Sequence, residues 1–377
     1  MKLKVALACF LSSALLSQAA EKVYVACGTL GIRVADFDSE TGELSPVTEA
    51  LSLPSVGFLA LHPDKPLMYA TCNTDGKKGE NGAIAALTIL ENGTLDILNR
   101  SLTKSSGACH VSVDATGKVA FAASYGSGSV ASFQVQEDGS LSEPVSVIEH
   151  EGSSIIPSRQ SSSHAHYFAA GPKNQFAYVP DLGLDKVVIY RFDSETAKLT
   201  ASGAGELAGG AGPRHMKFSK DGQFAYVLNE LNLTMTTFRY DEKDGSLSEV
   251  ATISTVPEGT DKEQMSCAEI VVHPSGKFVY SSQRDLRTRG DKSEVGRNSL
   301  SVYRVTEEGA LQRTQTISAG VRFPRNFNLD PSGKWLLAGG QFSHDIQVFS
   351  IDEKNGKLAA KGEPVECPGR PMCFVFR

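Results

Sequence analysis

Arginine, histidine and glutamate residues stand at both ends of one predicted hairpin. The stretch GPRHMKFSKDGQFAYVLNEL (212–231) reads as two strands around a turn, beginning with Arg214 and His215 and ending with Asn229 and Glu230. An antiparallel hairpin places the start of its first strand beside the end of its second. Cations and a carboxylate therefore meet at one edge, a grouping that can bind an anion and transfer protons.

The turn inside this hairpin recurs along the chain and indicates a repeat. PSGKFVY (274–280) has looser versions elsewhere, each ending on a bulky residue that we call the anchor. Successive anchors are separated by 45 to 57 residues. They are Tyr24, Tyr69, Phe121, Tyr178, Tyr226, Tyr280 and Leu337.

A second series of turns runs out of phase with the anchors. It has the form Gly-x-Leu in six of seven cases, as tight hairpins prefer, and alternating stretches such as VVIYRFD (187–193) precede it. Each unit is therefore four strands joined by short connections. The leucines are Leu44, Leu95, Leu141, Leu199, Leu247, Leu311 and Leu358.

Seven units of this kind predict an all-β fold, a seven-bladed β-propeller of four-stranded antiparallel blades. The last strand, RPMCFVF (370–376), has no hairpin after it, and EKVYVACG (21–28) has no strand before it. We expect the N- and C-terminal strands to pair in one blade and close the ring. Residues 20–377 would form this single domain, with helices almost absent.

Counting from the anchors places polar residues on one rim of the predicted channel. The first strand of a blade begins 11 or 12 residues before its anchor, and the second strand ends about four residues after it. The slots at the start of the first strands include Cys109, His110, His166, Arg214, His215, Glu269, Arg325 and Asn326. The slots at the end of the second strands include Tyr125, Glu230, Arg284 and Gln341.

The residue types in these slots suit an anionic ligand and a hydrolytic reaction. Guanidinium groups hold a carboxylate or phosphate with two parallel hydrogen bonds and can stabilise an oxyanion on a carbonyl. His166 and Glu230 could supply an acid–base pair that activates water.

Structural roles compete with these functional ones. Arg214 and Glu230 could form an ion pair that only joins strands, and His215 points to the opposite face of a regular strand, as a core histidine would. His110 fits either a pocket wall or a hydrogen bond between blades. HAH (164–166) has the spacing of two metal ligands but no nearby carboxylate, so we expect neither a metal nor another cofactor.

The first residues have the pattern of a secretory signal rather than of the fold. Lys2 and Lys4 precede an apolar stretch, and small residues follow it, so we expect residues 1–19 to be a signal peptide. No apolar segment after it reaches the length of a membrane span. The expected location is periplasmic or secreted.

Six of the seven cysteines follow this leader, in an irregular spacing and without a CxxC pair. We expect mostly buried free thiols, with at most one disulfide near the termini, where Cys27, Cys367 and Cys373 could meet. The net charge of −6, without a basic stripe, excludes nucleic acid as a partner. We expect a monomer.

Five stretches of the sequence resemble one family over almost the whole chain after the leader. They are CHVSVDATGK, HAHYFAAGPKNQFAYVPDLGLDKVVIYRF, GAGPRHMKFSKDGQFAYVLNEL, AEIVVHPSGKFVYSSQRD and FPRNFNLDPSGKWLLAGGQFSHDIQVFSID. On these motifs the chain resembles the seven-bladed propeller lactonases, the bacterial 6-phosphogluconolactonase type, which are related to carboxymuconate-lactonising enzymes.

The resemblance implies a catalytic set and a reaction. The proposed catalytic histidine of the family falls on His166, and its arginines and glutamate fall on Arg214, Glu230 and Arg284. Arg325 and Gln341 match recurrent family positions, and we add Asn229 and His110 as substrate-binding candidates. The implied reaction is metal-free hydrolysis of 6-phosphoglucono-1,5-lactone, a small anionic substrate, to 6-phosphogluconate.

A signal peptide conflicts with this substrate, because it would send the protein out of the cytosol, where the sugar phosphates of that pathway occur. An exported relative could instead open or form an unphosphorylated sugar lactone or an aromatic-derived lactone. The propeller could also bind an anionic ligand or a protein partner without turnover, although such a scaffold needs neither the histidine nor the glutamate.

Overall fold

Seven antiparallel sheets, one for each sequence repeat, make up the computed structural model, which describes residues 20–74, 81–289 and 297–377. Six sheets have four strands and the remaining sheet has five. The predicted seven-bladed propeller is thereby confirmed. The predicted leader, residues 1–19, lies outside the described residues.

Each blade runs from an innermost strand at the channel to an outermost strand at the perimeter. The innermost strands are β5 (Leu59–Leu61), β9 (Ala108–Val113), β13 (Ala169–Ala170), β17 (Pro213–Phe218), β21 (Met265–Val272), β25 (Pro324–Leu329) and β29 (Cys373–Phe376). The second strands are β1 (Glu21–Ala26), β6 (Leu67–Asn73), β10 (Val119–Ser124), β14 (Phe176–Asp181), β18 (Phe224–Asn229), β22 (Phe278–Asp285) and β26 (Trp335–Gly340).

The outer half of each blade consists of a third and a fourth strand. The third strands are β2 (Ile32–Asp38), β7 (Gly82–Ile89), β11 (Ser129–Gln134), β15 (Lys186–Phe192), β19 (Thr234–Tyr240), β23 (Ser299–Val305) and β27 (Asp345–Ile351). The fourth strands are β3 (Glu43–Leu44) with β4 (Thr48–Leu51), β8 (Leu95–Leu102), β12 (Ser146–Glu149), β16 (Leu199–Glu206), β20 (Leu247–Ser254), β24 (Leu311–Ser318) and β28 (Leu358–Glu366).

Helical structure in the described residues is limited to α1 (Pro157–Gln160) and a 3-10 helix (Leu286–Arg289). The first lies between β12 and β13, and the second between β22 and β23. Over the same residues, no helix has the length and apolar character needed to cross a membrane.

The chain closes its ring as predicted, by pairing its last strand with its first. β29 lies antiparallel to β1, with Val23 opposite Phe376 and Ala26 opposite Cys373. The C-terminal strand therefore takes the innermost place in the blade that the N-terminal strands complete. Backbone hydrogen bonds between the two ends of the chain therefore close the ring within one blade.

Hydrophobic clusters fill the spaces between neighbouring blades. In the described part of the chain there are seven of them, and each joins residues of two adjacent sheets. One cluster joins Tyr24 of the first blade to Met68 of the second, and another joins Val25 to Leu337 of the last blade. Burial of apolar area between blades is therefore the main force that holds the ring together.

The two repeat motifs meet at these interfaces, which explains why both recur. Gly245 has φ 77°, and a Cβ atom there would lie 2.5 Å from the Phe176 ring of the preceding blade. The hydroxyl of the anchor Tyr178 donates a hydrogen bond of 2.8 Å to the Gly245 carbonyl. Tyr69 and Tyr280 bond to Gly139 and Gly356 in the same way. Glycine is needed because the turn requires a left-handed residue without a side chain.

The cysteines follow the sequence expectation in most respects. All six described cysteines are free, and five are buried. Cys27 and Cys367 meet, with 3.7 Å between their sulfur atoms, whereas Cys373 lies against the backbone of Leu59. The one disulfide considered for this region is therefore not formed, although two of its three candidate thiols are in contact.

The anchor hydroxyls provide a test of the interface hydrogen bonds. We expect Tyr178→Phe to lower the free energy of unfolding by about 1–2 kcal/mol, because it leaves the buried Gly245 carbonyl without its donor. Tyr226→Phe is the matched control, since the Tyr226 hydroxyl is buried without a partner in the described residues. Urea denaturation would measure both variants, and an equal loss in the two would contradict this role.

Candidate active site

A cavity of about 550 Å³ opens at the channel mouth where the innermost strands begin. It contains three of the four predicted catalytic residues, and Arg214 lies directly behind them. Its lining residues are Cys109, Tyr125, Arg159, His166, Glu230, Arg284, Leu286, Phe323 and Arg325. The rim deduced from the sequence slots therefore exists as one concave site.

β-Bulges at the starts of the innermost strands direct several of these side chains. Arg214 is the extra residue between the pairs Pro213–Asn229 and His215–Leu228, and Arg325 and Cys109 occupy corresponding positions in their blades. A bulge bends its strand and turns a side chain out of the regular alternation.

Arg214 can therefore reach Glu230, behind the cavity wall, while the adjacent His215 stays in the channel. There His215 is buried, with its Nδ1 2.9 Å from Glu269 Oε1. This is the core environment that the sequence favoured for His215, although the strand that carries it is not regular.

Glu230 is the centre of the site and is surrounded by three guanidinium groups. Its Oε2 lies 3.0 Å from Arg214 Nε and 3.1 Å from Arg284 Nη2, and its Oε1 accepts a hydrogen bond of 2.8 Å from Arg159 Nη2. Arg214 also donates to the Ala268 carbonyl and Arg284 to the Cys267 carbonyl. The ion pair between Arg214 and Glu230 is thus part of a larger network.

This network determines the protonation of its members. Burial alone would raise the pKa of Glu230, but Arg284, Arg214, His166 and Arg159 outweigh it and hold that pKa well below its usual range. Burial lowers the pKa of Arg214 and that of Arg284 to about 10 each, so both remain charged at neutral pH. Glu230 is therefore a permanent carboxylate with little tendency to accept a proton.

His166 differs from Glu230 because its imidazole is neutral at neutral pH. It is almost fully buried, and burial together with the nearby Arg214 and His215 lowers its pKa well below the usual value. Its Nδ1 lies 4.0 Å from the sulfur of Cys109, whose own pKa burial raises to about 11. The site thus combines an uncharged imidazole with a protonated thiol.

Arg325 differs from the other arginines of the site in the bonding of its guanidinium group. It lines the cavity on the blade next to that of Arg284, and within the described residues it has neither an ion-pair nor a hydrogen-bond partner. Burial, and then the charge of Arg284, lower its pKa. An unpaired cation at a concave mouth is suited to bind an anionic group of a ligand.

Arg159 is a site residue that the analysis of sequence slots missed. It lies on α1, in the connection between β12 and β13. Gln160 holds this connection in place, because its Nε2 donates 2.8 Å hydrogen bonds to Asp185 Oδ1 and to the Leu182 carbonyl. Ser154 also donates to Asp185, at 2.6 Å. The repeat pattern contains no slot for this loop, so its cation could have been found only by considering every arginine in long connections.

Three of the predicted substrate-binding residues do not line the cavity. His110 lies deeper in the channel, where its Nδ1 accepts a 3.3 Å hydrogen bond from the Phe168 backbone of the next blade. The Asn229 amide donates to Thr234 and Thr236, at 2.8 and 3.0 Å. Gln341 donates to the sulfur of Met372. These contacts are structural, and of the four candidates Arg325 alone belongs to the cavity.

The HAH segment separates its two histidines. His164 Nδ1 lies 2.8 Å from the Tyr125 carbonyl oxygen, and its ring stacks on the Tyr125 ring, while His166 lines the cavity. Over the described ranges, the histidine, cysteine and carboxylate residues form no group of three or more that could hold a metal ion.

The Glu230 network can be tested by removing its one anion. We expect Glu230→Gln to lower the free energy of unfolding by about 3–5 kcal/mol, because three cations lose their buried counter-charge. Glu143→Gln is the control, since Glu143 forms an exposed ion pair with Lys104 and should change stability by less than about 1 kcal/mol. Denaturant titration decides, and similar losses in both variants would contradict a central role for Glu230.

Comparison with known proteins agrees with this geometry. The family model described as "Lactonase, 7-bladed beta-propeller" matches residues 22–376. A 6-phosphogluconolactonase from Bacillus subtilis is 33% identical over 356 residues, which are 94% of this chain and 96% of that protein. A 6-phosphogluconolactonase from Formosa agariphila is 28% identical over 92% of this chain and 95% of its own length.

Solved structures show the same architecture. A putative 6-phosphogluconolactonase from Bacteroides fragilis superposes with a TM-score of 0.85 at 26% identity, covering 96% of this chain and 99% of that one. A periplasmic gluconolactonase from Pseudomonas aeruginosa superposes with a TM-score of 0.86 at 27% identity, covering 95% and 99%. The chain therefore belongs to the family of seven-bladed β-propeller lactonases.

Proposed function

We propose that the protein hydrolyses a sugar lactone with an anionic substituent, 6-phosphoglucono-1,5-lactone, to the open-chain acid 6-phosphogluconate. The observation that carries this proposal is the presence of a neutral imidazole, His166, and an unpaired guanidinium, Arg325, in one cavity of about 550 Å³. Membership of a lactonase family indicates a hydrolase, and its 6-phosphogluconolactonase relatives support the substrate.

His166 is the base of the proposed mechanism. It accepts a proton from water as the water oxygen attacks the lactone carbonyl carbon. The resulting oxyanion is stabilised by the guanidinium N–H groups of Arg284. The bond between the carbonyl carbon and the ring oxygen then breaks, and the imidazolium returns its proton to the departing alkoxide. Water is thereby added across the ester bond, and His166 ends in its starting state.

Glu230 has a different part in this mechanism because it is poorly suited to be the base. Its three guanidinium partners stabilise the carboxylate and weaken it as a proton acceptor. Its role is to hold Arg214 and Arg284 in place and to reduce the repulsion between them. The acid–base choice left open by the sequence is resolved in favour of His166 in this proposal.

Arg325 is the proposed ligand for the phosphate group. A phosphate needs a cation whose hydrogen bonds are not already committed, and the described residues leave Arg325 in that condition. Arg159, at the cavity edge and about one-third exposed, can add a second contact without leaving Glu230.

An unphosphorylated aldonolactone is the second candidate substrate. Two observations favour it: the leader-like pattern of residues 1–19, and the likeness to a periplasmic gluconolactonase from Pseudomonas aeruginosa. In that case the protein would be exported to the periplasm or secreted, and Arg325 would bind the developing oxyanion instead of a phosphate.

Kinetics with the two lactones separate these candidates. We expect 6-phosphogluconolactone to be the better substrate for residues 20–377, after correction for spontaneous ring opening. Arg325→Met should raise KM for the phosphorylated lactone by about 10- to 100-fold, the equivalent of one lost charge-assisted contact. The exposed Arg100→Met is the control and should leave the kinetics unchanged.

Three results would count against the phosphorylated substrate. Turnover of gluconolactone alone would favour the exported sugar lactonase. An equal effect of Arg325→Met on both lactones would remove Arg325 as the phosphate ligand. No turnover of either lactone would contradict the lactonase proposal for these two substrates.

The pH dependence tests the role of His166. Because its pKa is lowered from the ordinary 6.5, the imidazole should stay unprotonated throughout the neutral range and become protonated only below pH 6.5. We therefore expect kcat/KM to be flat above pH 6.5 and to fall in more acidic buffer. His166→Asn should reduce kcat by about 10²- to 10⁴-fold. An acidic limb centred above pH 6.5, or full activity in the variant, would exclude His166 as the base.

A further inference from the structure

A second cavity, of about 480 Å³, lies farther along the same innermost strands, toward the other mouth of the channel. We call it the lower cavity. Arg214 and Arg325 begin their strands at the candidate active site, whereas the later residues Lys217 and Asn328 of the same strands line the lower cavity. The propeller therefore has a concave site at each end of its channel.

A group of ring side chains separates the two cavities. His110 packs between Phe58 and Tyr167, with ring centroids 4.3 and 4.2 Å away. His215 lies 5.6 Å from His110 and 5.2 Å from His166, which faces the upper cavity. A molecule in the lower cavity would thus be shielded from the candidate active site by a layer of packed rings.

Lys217 gives the lower cavity its chemical character. Its ammonium nitrogen lies 5.4 Å from the centre of the Tyr167 ring, a distance typical of a cation–π contact. In the described part of the chain it has neither an ion-pair nor a hydrogen-bond partner. The charge is half-buried in the cavity wall, where a ligand anion would gain more from it than at the open surface.

The carboxylate in the same cavity is already occupied. Glu269 Oε1 lies 2.9 Å from His215 Nδ1 and accepts a 2.9 Å hydrogen bond from the Ile270 backbone, while Oε2 accepts from the Asn326 amide. The amide of Asn328 likewise donates to the Phe374 carbonyl. Protein groups therefore satisfy these polar atoms. The cations left to meet a ligand are Lys217, which is half-buried, and Lys220, which is exposed to water.

Apart from Lys220 and His273, the remaining wall is mainly apolar, which restricts the body of the ligand. It contains aromatic and aliphatic side chains contributed by five blades, namely Phe58, Leu59, Phe218, Val271, Val272, Phe327, Phe374 and Val375. A sugar acid, with a hydroxyl on most carbons, would lose hydrogen bonds to water against such a wall. An anion with a ring or branched hydrocarbon body would gain from burial there.

We propose that the lower cavity is a second small-molecule site, which binds a monocarboxylate with an apolar body and holds its carboxylate on Lys217. The ligand class is distinct from the polar lactones of the upper cavity. The site does not depend on the proposed lactonase reaction, because none of the residues that line it also lines the candidate active site.

Benzoate is the probe for this site. We expect the purified protein to bind sodium benzoate saturably at one site, followed by isothermal titration calorimetry and ligand-observed NMR. Benzyl alcohol, which has the same ring but no charge, should bind at least about tenfold more weakly, as the loss of a charge-assisted contact predicts. Gluconate should not compete with benzoate.

Variants identify the cavity that binds the probe. Lys217→Met should weaken benzoate binding at least about tenfold, and Lys217→Arg, which keeps the charge, should retain it. Arg325→Met, at the upper cavity, and Lys173→Met, which removes an exposed lysine paired with Glu242, should bind benzoate like the unmodified protein. Circular dichroism would verify that each variant is folded, and Lys217→Gln replaces Lys217→Met if that variant is not.

Four outcomes would overturn the proposal. The first is unchanged benzoate binding in the folded variant that lacks the Lys217 charge, and the second is equal affinity for benzoate and benzyl alcohol. The third is loss of benzoate binding in Arg325→Met. The fourth is the absence of saturation up to about 20 mM benzoate, because weaker binding than this would not indicate a specific site.

Discussion

The balance of charge around Glu230 is the constraint on which the candidate active site depends. Arg159, Arg214 and Arg284 come from three different blades or connections and would repel one another if they met alone. One buried carboxylate, kept ionised by those cations, lets all three guanidinium groups lie within 3.1 Å of its oxygen atoms. Because three buried cations without a counter-charge would be strongly destabilising, the geometry of the site is set by electrostatics as much as by the strands that carry it.

The propeller supplies the positions that this balance needs. Interfaces between blades are fixed by hydrophobic clusters and by the contact of an anchor with the glycine turn of the next blade, as at Tyr178 and Gly245. Because the blades are fixed, small departures from regular strand geometry at the starts of the innermost strands can place side chains precisely. The bulges at Arg214 and Arg325 are such departures. They direct one guanidinium group to Glu230 and the other to the cavity, from strands that otherwise alternate.

The repeat made the fold and much of the site predictable from the sequence. An anchor every 45 to 57 residues sets the register, and counting from it placed His166, Glu230 and Arg284 on one rim, where the structure has them. Counting failed in two ways. Arg159 lies on a connection that has no equivalent in other blades, and Asn229 has the right position but turns its amide to Thr234 on the adjacent strand.

The contrast between paired and unpaired cations explains how one channel can present two chemistries. At the upper mouth, Glu230 neutralises part of a dense arginine cluster and leaves Arg325 for a ligand beside a neutral histidine. At the lower mouth, Glu269 is bound by His215 and Asn326, and the half-buried ammonium of Lys217 remains in a mainly apolar wall that the exposed Lys220 also lines. In each case an internal carboxylate is satisfied by the protein, so the charge that remains available determines which molecules the cavity can hold.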